Sequence, residues 1–96
     1  MEKIESKIVE ARAARMAFLE AVLRSGIFVN PERKKIEKAA REAFIISRAD
    51  VWNAAEFEHG GEFASKLVDM LDAREWSGDA VFHATELLQI GGKQAA

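Results

Sequence analysis

Apolar residues recur along this chain at spacings of three and four, the period of an α-helix, and no segment shows the strict alternation of a strand. The longest such run extends from Pro31 to His59. Asn30 can cap its start, Pro31 suits the first helical position because its missing N–H costs nothing there, and Glu32 sits near the positive helix end. Gly60 and Gly61 can adopt the left-handed conformation that closes a helix. The apolar residues of this run fall on two faces. Ile36, Ala39, Ala40, Ala43, Ile46, Val51, Ala54 and Phe57 form a broad one, expected to face the core, with Phe44 at its edge. Ile45, Ala49 and Trp52 form a second stripe on the far side. A helix apolar on two sides must be covered on two sides, by its own chain or by another.

Ser47-Arg48-Ala49-Asp50 loosely matches a capping box and could split the run in two. The periodicity nevertheless crosses Ser47 without a phase change, and no Gly or Pro intervenes. A continuous helix is therefore expected.

Three further helices follow from the same reasoning. Glu2 to Ser25 reads as a helix ended by Gly26, with Ile4, Ile8, Ala11, Phe18, Leu19 and Val22 on a face that widens through Leu23 and Met16 to Val9. Ile27-Phe28-Val29 reads as an apolar connector that plugs one end of the bundle. Glu62 to Glu75 is the cleanest amphipathic segment, with Phe63, Ala64, Leu67, Val68, Met70 and Leu71 on one face. After a turn at Trp76-Ser77-Gly78, Asp79 to Ile90 carries Val81, Phe82, Ala84, Leu87, Leu88 and Ile90. Gly91-Gly92 is expected to end it, leaving residues 93–96 as a disordered tail behind a single domain of residues 1–92.

Composition narrows the function classes. Ninety-six residues with a 49% hydrophobic and 31% charged share make one foldable domain, large enough for one core but not for a deep enclosed active site. Much of the apolar content is alanine, which favours helix but buries little surface, so association can add materially to stability. A net charge of −2 lacks the basic footprint of a nucleic-acid or anionic-membrane binder. With no cysteine, disulfides, thiolate metal sites and a cysteine nucleophile are excluded, which suits a reducing cytoplasm. No stretch approaches the roughly 20 apolar residues of a membrane span, and the N-terminus lacks a signal-peptide run.

Several constellations could carry chemistry. Glu56 and His59 form a Glu-x-x-His pair that resembles the ligand presentation of ferritin-like di-iron bundles, to which Glu20 or Glu86 could contribute. The pair stands against two glycines and lacks a second copy of the motif, so no metal and no cofactor is expected. The Ile46–Trp52 segment partly resembles a helix-turn-helix, with Phe44, Ile46, Val51 and Ala54 in its core places. Arg41, however, stands where that motif has alanine and Ile45 where it has the turn glycine, and the Arg48–His59 segment is acidic, which would repel phosphates. Trp76-Ser77-Gly78 resembles the Trp-x-Gly turn of small secreted helical-hairpin proteins, but it stands late in the chain, and Trp76 reads more simply as a core-closing aromatic. Arg12 and Arg15 project within the apolar arc of the first helix. Their stems can be buried while the guanidinium groups reach water or a carboxylate, or together they could hold an anion. His83 with Ser77 and Asp79 lacks an oxyanion-hole pattern, and neither glycine pair has the spacing of a phosphate loop.

The expectation is thus an all-α compact bundle of four helices, or five should Ser47 break the second, with short connections. Its expected role is non-catalytic: a small protein-binding or regulatory protein of the cytoplasm that forms a homodimer or binds another protein. The expected contact residues are Ile45, Ala49 and Trp52, rimmed by Arg41, Arg48 and Glu56. The alternatives are the ferritin-like metal bundle and the atypical helix-turn-helix regulator.

Overall fold

The computed structural model describes residues 4–25 and 31–95, which form four α-helices: α1 (Ile4–Ser25), α2 (Pro31–His59), α3 (Gly61–Ala73) and α4 (Gly78–Ala95). There is no strand among the described residues. Gly26, the Ile27–Val29 connector and the Asn30 cap lie outside the described residues. α2 runs unbroken through Ser47, as the uninterrupted periodicity anticipates.

Its end is a one-residue corner. Gly60 takes φ 91° and ψ 162°, a conformation open essentially to glycine alone, and its carbonyl accepts the Ala64 N–H at 3.1 Å to begin α3. Gly61 is already helical, so one glycine suffices where two were expected.

The end of α3 is built differently. The Trp76 N–H donates to the Leu71 carbonyl at 2.8 Å and the Glu75 N–H to the Asp72 carbonyl at 3.0 Å, the paired bonds of a Schellman motif. Such a motif wants glycine in its left-handed position. Here Glu75 (φ 57°) and Trp76 (φ 54°) both occupy that region. α3 consequently stops at Ala73, two residues before the Glu75 boundary expected from its pattern. Ser77 then caps α4, its Oγ accepting the Ala80 N–H at 3.1 Å.

Helical backbone continues through Gly91 and Gly92 to Ala95. The expected stop at those glycines is corrected: each costs a helix only about 1 kcal/mol relative to alanine, a weak terminator without a left-handed cap.

The helices meet in the cyclic order α1–α2–α3–α4, with α4 returning to α1. Their core contains Ile4, Ile8 and Ala11 of α1, Val51 and Ala55 of α2, Ala64, Leu67, Val68 and Leu71 of α3, Trp76, and Ala80, Ala84 and Leu88 of α4. Ile8, Leu67, Leu71 and Val51 are the largest fully buried side chains, each contributing about 1.5–3 kcal/mol by burial. These residues come from the N-terminal half of α1, the C-terminal half of α2, and the two later helices. That is the head of the molecule.

Among the described residues none between Arg12 and Asp50 is buried. There α1 and α2 continue past the head as a two-helix arm, which stretches the molecule to 53 × 23 × 20 Å. The radius of gyration is 15.1 Å, against about 12.5 Å for a compact chain of this length.

The arm overturns two assignments of the core face. On α1 only Ile4, Ile8 and Ala11 are buried and Phe18 is half-buried, while Val9, Met16, Leu19, Val22 and Leu23 are exposed. On α2 the inward face is Phe44, Val51, Ala54 and Ala55, whereas Ile36, Ile46 and Phe57 are 61%, 62% and 82% exposed. The cause is coverage. α3 and α4 reach only the head, so beyond it each helix of the arm has one neighbour instead of two or three; Val9 and Phe57 lie within the head, on sides of α1 and α2 that no described helix covers.

Candidate protein-binding surface

α2 is packed along one side and bare along the other, and this division decides what its side chains can do. Of the residues expected at a contact surface, Ile45 is 51% exposed and Ala49, Arg41 and Glu56 are exposed as well. Trp52 instead leans on the core from its margin, and its indole N–H points at Ser65 Oγ on α3 at 3.4 Å. Arg48 is likewise engaged within the chain. The stripe is therefore split: its Trp52 and Arg48 side fastens α2 to α3, and its Ile45 and Ala49 side faces outward.

Arg48 belongs to a polar centre where α1, α2 and the α3–α4 turn converge. Its Nε donates to both Asp72 carboxylate oxygens at 3.0 and 3.1 Å, and Nη2 donates to Oδ2. Asp72 Oδ1 also accepts the Trp76 indole N–H at 2.8 Å. Burial alone would push the Asp72 carboxyl up, but the hydrogen bonds from Arg48 and Trp76 and the charges of Arg48 and Arg15 outweigh it. The carboxyl is held below its ordinary value. The Arg48 guanidinium is raised in turn, chiefly by its bond to Asp72.

Trp76 meets Phe44 edge-on at 5.7 Å, and Arg15 lies over the Phe44 ring at 5.8 Å while donating to the Glu75 carbonyl at 2.9 Å. Arg15 thus ties α1 to the left-handed turn. Arg12 lies beside it with Nη2 3.7 Å from where a Gly78 side chain would begin, and its buried Nε has no partner. These groups hold elements together.

The other chemical candidates are each placed by ordinary contacts. The His59 ring packs on Phe63 at 4.7 Å, with its Nε2 3.9 Å from Glu58. Glu20 pairs with Arg24 at 2.6 Å, and Glu86 lies 3.9 Å from His83. No three His, Asp or Glu side chains among the described residues are grouped to hold a metal ion. The segment resembling a helix-turn-helix has no turn, since α2 passes straight through it. No helix among the described residues is long and apolar enough to cross a membrane. A shallow cleft of about 180 Å³ at the tip of the arm, lined by Ala21, Arg24, Arg33 and Ile36, is smaller than the roughly 300 Å³ at which ligand pockets usually begin.

What remains is apolar surface. Beside Ile45, the outward side of α2 carries Ile36, Ala39, Ala43, Ile46 and Phe57. α1 adds Val9, Met16, Leu19 and Leu23, and α4 adds Phe82 and Ile90. Reading the sequence placed the first of these groups in the core, because a periodic face by itself does not reveal whether the chain has a helix left to cover it. One signal could have separated them. Ile36, Ala39, Ala43, Ile46 and Phe57 fit a strict three-four spacing, the narrow seam of a helix that pairs with one other helix. The half-buried Phe44 and the buried Val51 and Ala55 lie on a different face.

No protein-family model matches the chain, and neither a curated protein nor a solved structure matches it.

Proposed function

We propose that this chain is a small non-catalytic binding protein that acts by protein–protein contact through the outward apolar surface of α2, and that it associates with itself as a homodimer. The observation that carries the reading is the exposure of Ile36, Ile46 and Phe57 along one line of one helix, each between 61% and 82%. A monomeric surface commonly shows single apolar residues, but a file of them along one element marks an interaction site. Ile45 and Ala49 widen this surface, and Arg41 and Glu56 give it a polar rim. Trp52 and Arg48 support it from behind by fixing α2 to α3.

Association would complete the helical bundle that the head begins and the arm leaves open. The cysteine-free composition suits work in a reducing compartment such as the cytoplasm. The test is a mass measurement by light scattering across a dilution series. The reading expects a dimer that dissociates on dilution. A monomer throughout, up to high micromolar concentration, overturns the self-association.

A further inference from the structure

On the outward side of α2, positions alternate by three and four from end to end: Ile36, Ala39, Ala43, Ile46, Asp50, Asn53 and Phe57. This is the spacing of a coiled-coil seam, here about 32 Å long and apolar at all but two places. We infer that this seam pairs with the same seam of a second copy in antiparallel orientation, with the twofold axis passing between Ala43 and Ile46. The inference rests on the self-association proposed above and specifies its geometry.

Area identifies a second copy as an adequate occupant. The chain exposes 6714 Å², whereas a folded monomer of 10.7 kDa exposes on the order of 5,500 Å². The excess, about 1,200 Å², is comparable to the roughly 800 Å² that each partner buries in an interface of standard size. Burying one seam against another would bring the exposed area towards that of an ordinary globular subunit.

Charge then selects the orientation. Pro31–Arg41 carries five Lys or Arg residues and two Glu, while Asp50–His59 carries three carboxylates and no Lys or Arg. Antiparallel pairing sets the basic half of each helix beside the acidic half of the other, with Lys35 flanking the seam opposite Glu56 of the second copy. It also seats Ile46 against Ala43, large against small, and Asp50 against Ala39, where a short side chain leaves the carboxylate a path to water. Parallel pairing would instead set Asp50 against Asp50 inside the seam, and the basic half against the basic half. Like charges in those places disfavour it. The helix dipoles also favour the antiparallel arrangement.

The experiment is a set of solution-mass and dissociation measurements on wild type and four variants: Ile46→Glu, Lys35→Glu, Glu56→Lys and the double exchange. Ile46→Glu should give a monomer with unchanged helicity, because Ile46 is 62% exposed and contributes nothing to the head. Each single charge variant should weaken the dimer roughly three- to tenfold at low salt, since both symmetric flanking pairs become repulsive. The double exchange should restore wild-type affinity.

A wild-type monomer overturns both the functional reading and this pairing. A dimer that survives Ile46→Glu leaves self-association standing and overturns the seam. Should Ile46→Glu unfold instead, the exposed charge variants still decide. Single variants without effect, or a double exchange that fails to rescue them, overturn the antiparallel register.

Discussion

The turn between α3 and α4 offers a sharp test of whether its backbone strain is real. Glu75 fills the left-handed position of the Schellman motif at φ 57°, where an L-residue with a side chain costs about 1–2 kcal/mol. Its carboxylate is exposed, and the bonds made at this residue use its backbone: the N–H to Asp72 and the carbonyl from Arg15. Glu75→Gly therefore removes the steric cost while keeping both bonds. Against this stands the greater freedom that glycine gives the unfolded chain, about 0.5–1 kcal/mol. The net expectation is stabilisation by about 0.5–1 kcal/mol, a rise in melting temperature of roughly 2–8 °C for a domain of this size. Glu75→Ala is the control, because alanine retains a Cβ and so retains the strain. Thermal melts followed by circular dichroism at one fixed protein concentration measure both variants, since association makes melting depend on concentration. Equal shifts for the alanine and glycine variants, or a glycine variant less stable than wild type, would refute the account. Trp76, at φ 54°, permits no such relief, because the side chain a glycine would delete is only 2% exposed and closes the core.

Three further outcomes follow from named contacts. Gly60→Ala should destabilise the fold by about 1–3 kcal/mol in urea titrations, although a Cβ there would meet nothing within 4 Å, because the loss is entirely one of backbone conformation; a neutral result would mean that the corner relaxes freely. Asp72→Asn should lower stability near pH 7 and flatten its decline in acid. A carboxyl held below its unfolded value stabilises the fold above about pH 3.9 and loses that contribution as pH falls through the folded value. With the carboxylate still 38% exposed the effect should stay near ~1 kcal/mol, and wild type and variant acid-unfolding curves that run parallel would contradict it. Amide hydrogen exchange should be slow and insensitive to concentration at Leu67–Leu71, but fast on dilution across Lys34–Arg41, where no side chain is buried. Uniform protection in dilute protein would show that the arm matches the head in stability without a partner.

The elements were largely legible in the sequence because each rule that sets them is local. Period, proline at the first helical position and glycine at the corner placed α2 from Pro31 to His59, and the Phe63–Leu71 pattern gave the buried face of α3. Burial was less legible, because it depends on which helices remain to cover a face. Ile46 and Val51 look alike in the sequence, yet Val51 is fully buried in the core and Ile46 is 62% exposed. The Schellman ending was missed for a related reason. Glu75 carries no mark of a left-handed position, and its conformation is imposed by the Trp76 side chain entering the core and by Arg15 holding the Glu75 carbonyl. Of the surface residues singled out, Ile45, Ala49, Arg41 and Glu56 do face solvent. Trp52 and Arg48 do not stand free, because Ser65 and Asp72 on α3 supply their partners, and a sequence does not show that proximity.

Helix lengths explain why the open surface lies where it does. α2 has 29 residues and α3 has 13, about 43 and 20 Å of helix, so α3 can cover less than half of its neighbour. α4 is joined to α3 by a tight turn and packs on the N-terminal half of α1, which adds depth to the head but no reach along the arm. Beyond the head, among the described elements, α1 and α2 have only each other. A two-helix layer gives a side chain one neighbouring element, so residues such as Phe18, Ala21 and Ala40 can be half-buried there but none of those described is buried fully. Isolated helices gain little from propensity alone, and most helical stability in proteins comes from packing an apolar face. α2 nevertheless retains large apolar side chains on its uncovered face, at a spacing suited to one more helix. Among the described residues no helix is left to fill that place. A second α2 has the length, the spacing and the opposite end-to-end charge to do so.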